Sequence, residues 1–172
     1  MTEKSKFWKD LKSGRFVSMV KESSKKQSIS NSQEVYNIMK PLFAEDDDVE
    51  KVYFLFLDAQ NKILSIENLF SGSLTASSIY PREIVKRLIH LKASAFIMVH
   101  NHPSGDIKPS AEDKSITMKV GVAAASIDVQ LHDHLIIGEG FHSMADTGWL
   151  RGVSKQFSNL LKSEPALERR LP

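Results

Sequence analysis

From Val52 to Leu57 the chain is unbroken apolar and rich in β-formers. That pattern predicts a strand covered on both faces. Ala59-Gln60-Asn61-Lys62 reads as a hairpin turn, and Ile63 to Phe70 as the returning strand. Ser71-Gly72-Ser73 ends it. Pro81 opens a helix to about Leu91, in which Ile84, Val85, Leu88, Ile89 and Leu91 form one apolar face. Ala95 to Val99 is a third buried strand ending at His100. A loop rich in Pro, Ser, Gly and Asp runs from Asn101 to Pro109, before a helix over about Ala111 to Ser126. Its Gly121, Ala123, Ala124 and Ala125 allow close packing on a sheet. Val129 to Ile137 is a further strand, Gly138-Glu139-Gly140 turns it, and Phe141 to Met144 pairs back.

Ahead of these elements, Asn31 to Phe43 reads as a helix with Ser32 as its cap. Val35, Ile38, Met39 and Leu42 recur at helical spacing, and Pro41 falls in the last turn. Glu45 to Asp48 is an acidic loop. The first 29 residues are polar and Ser/Lys-rich with a short apolar set, Phe7, Trp8, Leu11, Phe16, Val17 and Val20, which suggests one or two weak helices packing on the domain. Strands alternate with helices, and a hairpin interrupts the alternation. The expected class is therefore α/β with a mixed β-sheet flanked by helices.

The chain has 172 residues, enough for one domain with extra chain at the ends. Its longest unbroken apolar run is six residues, whereas a membrane-spanning helix needs about 20. No secretory signal pattern opens it, and a cytoplasmic place of work is expected. There are no cysteines, so thiolate zinc sites, iron–sulfur clusters and Cys nucleophiles are excluded. Any metal must be held by His, Asp, Glu or backbone oxygens. The net charge of +2 is unevenly spread. Residues 1–29 carry eight Lys/Arg against three acids, residues 151–172 five against two, and residues 30–150 ten against sixteen. Such basic ends can be arms for a polyanion or simply solvated helices and tails. A weak DNA contact through them is one expected partner interaction.

The candidate chemistry lies in Val99-His100-Asn101-His102-Pro103-Ser104-Gly105-Asp106, followed by Pro109-Ser110-Ala111-Glu112-Asp113. In an extended chain, positions i and i+2 point to one side, so His100 and His102 can converge on one ion. Asp113 falls in the first turn of the next helix, where the loop can fold back to the imidazoles. Two His, one carboxylate and an open position make the ligand set of a catalytic zinc centre. Ser110-x-x-Asp113 has two readings. It is a helix capping box. With Asp113 as a ligand, it also puts the Ser110 hydroxyl where it can stabilise an oxyanion.

These motifs resemble the zinc motif of the JAMM (JAB/MPN) metalloprotease clan, and the wording is similar to its bacterial RadC-like branch. "VHNHPSGD" with "PSAED" carries the likeness, together with "FLFLDAQNKIL", "SGSLTASSIYPREIVKRLI" and "DHLIIGEG". It covers roughly residues 45–150, leaving 1–44 as an N-terminal helical extension and 151–172 as a C-terminal tail. The resemblance implies a cytidine-deaminase-like architecture and one zinc ion held by His100, His102 and Asp113. It further implies hydrolysis of a peptide or isopeptide bond in a peptide or protein substrate, with an upstream Glu as general base. Glu50 is the positional match, Lys51 the alternative register, and Glu67 and Glu83 the fallbacks. The family's DNA-repair association implies another role, a non-catalytic module binding DNA or a protein. The first 50 residues, however, hold one glycine, Gly14, and no helix-hairpin-helix pattern.

His132 and His134 form a second pair two apart. They can be a rival metal site, buried strand histidines, or, for His134, a residue orienting a ligand. His90 suits a helix C-terminus. A nucleobase deaminase is disfavoured, because that chemistry uses His-x-Glu and Cys ligands.

Overall fold

A computed structural model describes residues 13–43, 48–71 and 79–162. Five strands form one sheet: β1 (Lys51–Leu57), β2 (Ile63–Ser71), β3 (Ala95–Asn101), β4 (Gln130–Gly138) and β5 (Gly140–Ser143). The helices are α1 (Arg15–Ser24), α2 (Ser32–Met39), α3 (Pro81–Leu91), α4 (Ala111–Ala125) and α5 (Trp149–Lys162). The spatial order is β2-β1-β3-β4-β5. Only β3 and β4 run parallel, the other neighbours being antiparallel. A parallel pair needs a crossover, and α4 supplies it.

Hydrophobicity on both sides of β1 and β3 follows from a core on each face. Tyr53, Leu55, Leu57, Ile97 and Val99 pack with Val35, Met39, Leu42 and Phe43 on one face. On the other, Phe54, Phe56, Phe96 and Met98 pack with Ile84 and Leu88 of α3 and Ile116 and Val120 of α4. All seven residues of β3 are buried. The buried end of β3 carries His100, with His102 just beyond it.

Local signals explain most boundaries. Asp58 Oδ1 accepts from the N–H groups of Gln60 (2.8 Å) and Lys62 (2.9 Å), folding the β1–β2 turn as an aspartate side chain commonly does. Pro81 occupies the first turn of α3.

Three boundaries differ from expectation. The N-cap of α2 is Asn31, not Ser32: Asn31 has extended backbone, and its Oδ1 accepts from Glu34 N–H at 2.9 Å. Ser32 lies inside the helix and donates to Asp146 Oδ2 at 2.6 Å. The expected helix to Phe43 tightens into a 3-10 turn over Lys40–Phe43, around Pro41, which has no N–H to give to a longer ladder. The stretch expected as a C-terminal tail begins as α5, whose Leu150 and Val153 are buried beside Ile136 and Met144.

In the N-terminal stretch, Val17 and Val20 of α1 pack on the first core. The expectations for Phe7, Trp8, Leu11, residues 45–47, Gly72, Ser73 and the last ten residues lie outside the described residues. Among the described residues, no helix is long and apolar enough to cross a membrane.

Candidate metal centre

Alternation along β3 sends His100 to the α4 side, and His102 follows just past the strand's last residue. Their Nε2 atoms lie 2.8 Å apart. Asp113, in the first turn of α4, faces both: Oδ1 is 3.2 Å from His100 Nε2 and Oδ2 is 3.5 Å from His102 Nε2. Register supplies a second carboxylate. Val52 of β1 pairs with His100, so Glu50, two residues earlier, comes opposite His102. Its Oε1 lies 3.9 Å from His102 Nε2, and ligand atoms of Glu50, His100 and His102 all fall within 4.8 Å of one another. Lys51, one position off, belongs to the other side of the pleat.

The hydrogen-bond network assigns the tautomers. His102 Nδ1 is 2.7 Å from the Asp106 carbonyl, which can only accept, so this nitrogen carries the hydrogen. Thr117 Oγ1 donates to the Asp113 carbonyl at 2.5 Å. His134 Nδ1, 2.5 Å from the same hydroxyl oxygen, must then donate to it. That leaves His134 Nε2 to accept from His100 Nδ1 at 2.8 Å. Both Nε2 atoms of the pair therefore turn lone pairs toward each other and toward two carboxylates. Only a cation satisfies four such donors: a proton on one ring, or a metal ion.

The electrostatics agree. Hydrogen bonding to Asp113 raises the His102 imidazole above its ordinary value, against the opposing effect of burial. Burial alone would raise the Asp113 carboxyl, but the facing imidazoles and the Ser110 side chain outweigh it and hold the group well below the usual carboxylate range. Burial pushes the fully enclosed His134 well below its ordinary value, so that ring is neutral.

Ser110 caps α4 with both capping-box bonds. Its Oγ accepts from Asp113 N–H at 3.0 Å, and Asp113 Oδ2 accepts from Ser110 N–H at 2.7 Å. The capping box is therefore present, and its Ser110 N–H bond helps hold the Asp113 carboxylate beside the imidazoles. The fallback glutamates are engaged elsewhere, Glu67 with Arg87 and Ser65, and Glu83 with Arg82 at the surface.

His132 and His134 do not act as a pair. A register shift pairs Phe96 with Leu131 but Ile97 with Asp133, so β4 bulges at His132. His132 Nε2 turns to Asn61 Oδ1 at 3.0 Å, whereas His134 joins the centre. Thr117 escaped the sequence reading, although its place one turn after Asp113 on the same helix face is a usable signal.

The loop carrying His102 is fastened to the β4–β5 turn. His102 N–H donates to the Ile137 carbonyl and Glu139 N–H to the Gly105 carbonyl, each at 2.8 Å. Gly105 has φ +83°, and a Cβ on Gly138 would stand 2.3 Å from the Gly105 carbonyl oxygen. Glycine is required at both positions for this approach.

A mixed sheet with two histidines and two carboxylates at one strand tip defines an α/β protein with a candidate metal centre. The RadC-like JAB domain model matches residues 29–149, and the chain belongs to that family. It is 44% identical over 106 residues to a UPF0758 protein of Vibrio atlanticus, covering 61% of this chain and 47% of that one. A UPF0758 protein of Vibrio parahaemolyticus is 41% identical over 130 residues, 75% of this chain and 58% of the relative. One of Variovorax paradoxus is 48% identical over 97 residues, 56% and 43% of the two chains. The chain spans about half the length of the curated relatives it matches.

Proposed function

We propose that this domain is a zinc-dependent hydrolase of JAMM type that cleaves peptide or isopeptide bonds. The observation that carries the reading is the convergence of the His100 and His102 lone pairs with the Asp113 carboxylate, and with Glu50 beside them. Two imidazoles, carboxylate oxygen and no sulfur suit a borderline divalent ion such as zinc. His100, His102 and Asp113 would hold it. When bound, it supplies an acidified water and an electrophile for the scissile carbonyl.

The chain's own residues have the complementary tasks. Glu50, at the edge of the cluster, accepts the water's proton and passes it to the leaving amine. Ser110 Oγ accepts from the Asp113 N–H, and its hydroxyl hydrogen would turn from the Asp113 carboxylate to the developing oxyanion. A groove of about 410 Å³ opens beside His102, with Phe43, Pro103 and Ile137 as apolar walls and Lys40 and Glu139 among its polar lining. It offers a seat for a residue flanking the cleaved bond. A cysteine-free chain fits work in a reducing cytoplasm.

The test is zinc analysis of protein purified without chelator, followed by a peptide-library cleavage assay with and without chelator. One equivalent of zinc and chelator-sensitive cleavage are expected. A zinc-loaded protein with no amide-bond cleavage would refute the reading.

A further inference from the structure

We infer that Asn101 is a positioning residue: its side-chain amide clamps the backbone on both sides of Glu50 and so aims that carboxylate at the cation site. The inference rests on the hydrolase reading for its consequence, but the clamp itself is visible independently. Asn101 stands between His100 and His102, and alternation turns its side chain to the opposite face of the sheet. There it is buried, 5% exposed. Its Oδ1 accepts from Lys51 N–H at 2.7 Å, and its Nδ2 donates to the Val49 carbonyl at 3.0 Å.

Those two bonds fix the peptide units immediately before and after Glu50. They constrain its φ and ψ, and with them the direction of its Cα–Cβ bond. The clamp sits where the β1–β3 ladder gives out, since its last pair is Val52 with His100. Beyond that point a side chain takes over from the backbone in holding β1's entry against β3's exit. Val49 is 38% exposed, so this entry segment lies at the surface. Only an amide brings a donor and an acceptor together in one short planar group. Aspartate would keep the bond to Lys51 and lose the one to Val49. Glutamine would be a methylene too long.

Because misplacing a catalytic group by about 1 Å can cost on the order of 10²-fold, loss of the clamp should be read in turnover rather than in binding. The experiment compares wild type, Asn101→Ala, Asn101→Asp, Glu50→Gln and Asn101→Ala/Glu50→Gln, each zinc-loaded and checked for zinc content and melting temperature. Amide exchange at Lys51 is followed alongside cleavage of a peptide found with the wild type.

With zinc content held, Asn101→Ala should speed Lys51 exchange and lower kcat by about 10- to 100-fold while KM stays within about twofold. Asn101→Asp should fall between the alanine variant and wild type. In the Glu50→Gln background, Asn101→Ala should do little more, because its effect passes through Glu50. Unchanged Lys51 exchange in Asn101→Ala overturns the inference. So does a turnover loss that multiplies with that of Glu50→Gln. If the zinc-loaded wild type cleaves nothing, the hydrolase reading falls alone, and Lys51 exchange still decides the clamp.

Discussion

His134 Nε2 lies 2.8 Å from His100 Nδ1, at the opposite ring nitrogen from the one that faces Asp113. The bond fixes the His100 tautomer and ring angle, and Thr117 fixes His134 in turn. Such partners typically account for 10- to 100-fold in metal affinity. His134→Ala should therefore weaken zinc binding by about 10- to 100-fold. It should also destabilise the protein by about 1–3 kcal/mol, because the buried His100 Nδ1–H loses its acceptor. Thr117→Val keeps the shape and removes the hydroxyl, so it should move affinity in the same direction by less. Chelator competition measures both. Unaltered affinity in His134→Ala would refute the assigned network.

Glu50 stands at 3.9 Å from His102 Nε2, farther than Asp113 from either imidazole. On the proposed reading, Glu50 is then the proton carrier and Asp113 the ligand, although Glu50 also falls within reach of an ion shared with the two histidines. Glu50→Gln is expected to retain zinc and to lose about 10²- to 10⁴-fold in kcat, the usual contribution of a general base. Asp113→Asn is expected to lose zinc. The two variants exchanging these phenotypes, as seen by metal analysis and steady-state kinetics, would reassign the two carboxylates.

The metal-free centre has a distinct pH signature. Its pairing with Asp113 raises the His102 imidazole, so the folded state holds this proton where the unfolded chain has released it. The associated stability is full below the unfolded value of about 6.5 and is lost as pH rises through the folded value. His132 and His134 are both lowered by burial. About one unit or more above the ordinary imidazole value they are neutral in both states and add no slope. In chelator, the melting temperature should therefore fall as pH rises from about 7.5 toward 8.5. A zinc ion bound as proposed would replace that proton, so the stabilisation it brings should widen over the same interval. A flat or rising chelated curve, read by thermal scanning, would contradict the His102–Asp113 pairing.

These residues differ in how far the linear chain announced them. The His-x-His pair, the Asp113 turn and the buried strands were legible, because alternation, capping and apolar runs are local properties. The Pro81–Leu91 helix matched its expected bounds, since its start signal and apolar face lie in its own eleven residues. Glu50 could be separated from Lys51 only by the pairing of Val52 with His100, a contact between strands far apart in sequence. The same holds for the bulge that divides His132 from His134: it depends on how β4 registers against β3, and nothing within Leu131–Leu135 marks it. The α2 cap is ambiguous in the sequence because Asn31 and Ser32 are both good caps, and tertiary contact with Asp146 draws Ser32 away.

The glycines give a test of how the His102 loop is held. A methyl on Gly138 would stand 2.3 Å from the Gly105 carbonyl oxygen and 2.7 Å from its carbon, so backbone must move. The β4–β5 turn would lift from the loop, straining the Glu139-to-Gly105 and His102-to-Ile137 bonds. Asp106, which anchors His102 Nδ1, sits in the same loop. Gly138→Ala should cost about 1–3 kcal/mol, the usual penalty of forced backbone shifts, and should lower zinc affinity with it. Gly152→Ala is the matched control. Gly152 lies in the α5 interior with nothing within 4 Å of an added Cβ, so the change should stabilise by about 0.5–1 kcal/mol and leave zinc untouched. Denaturant melts and chelator competition on both variants read the two effects. Equal zinc affinity in Gly138→Ala and wild type would mean that the loop holds His102 without the turn.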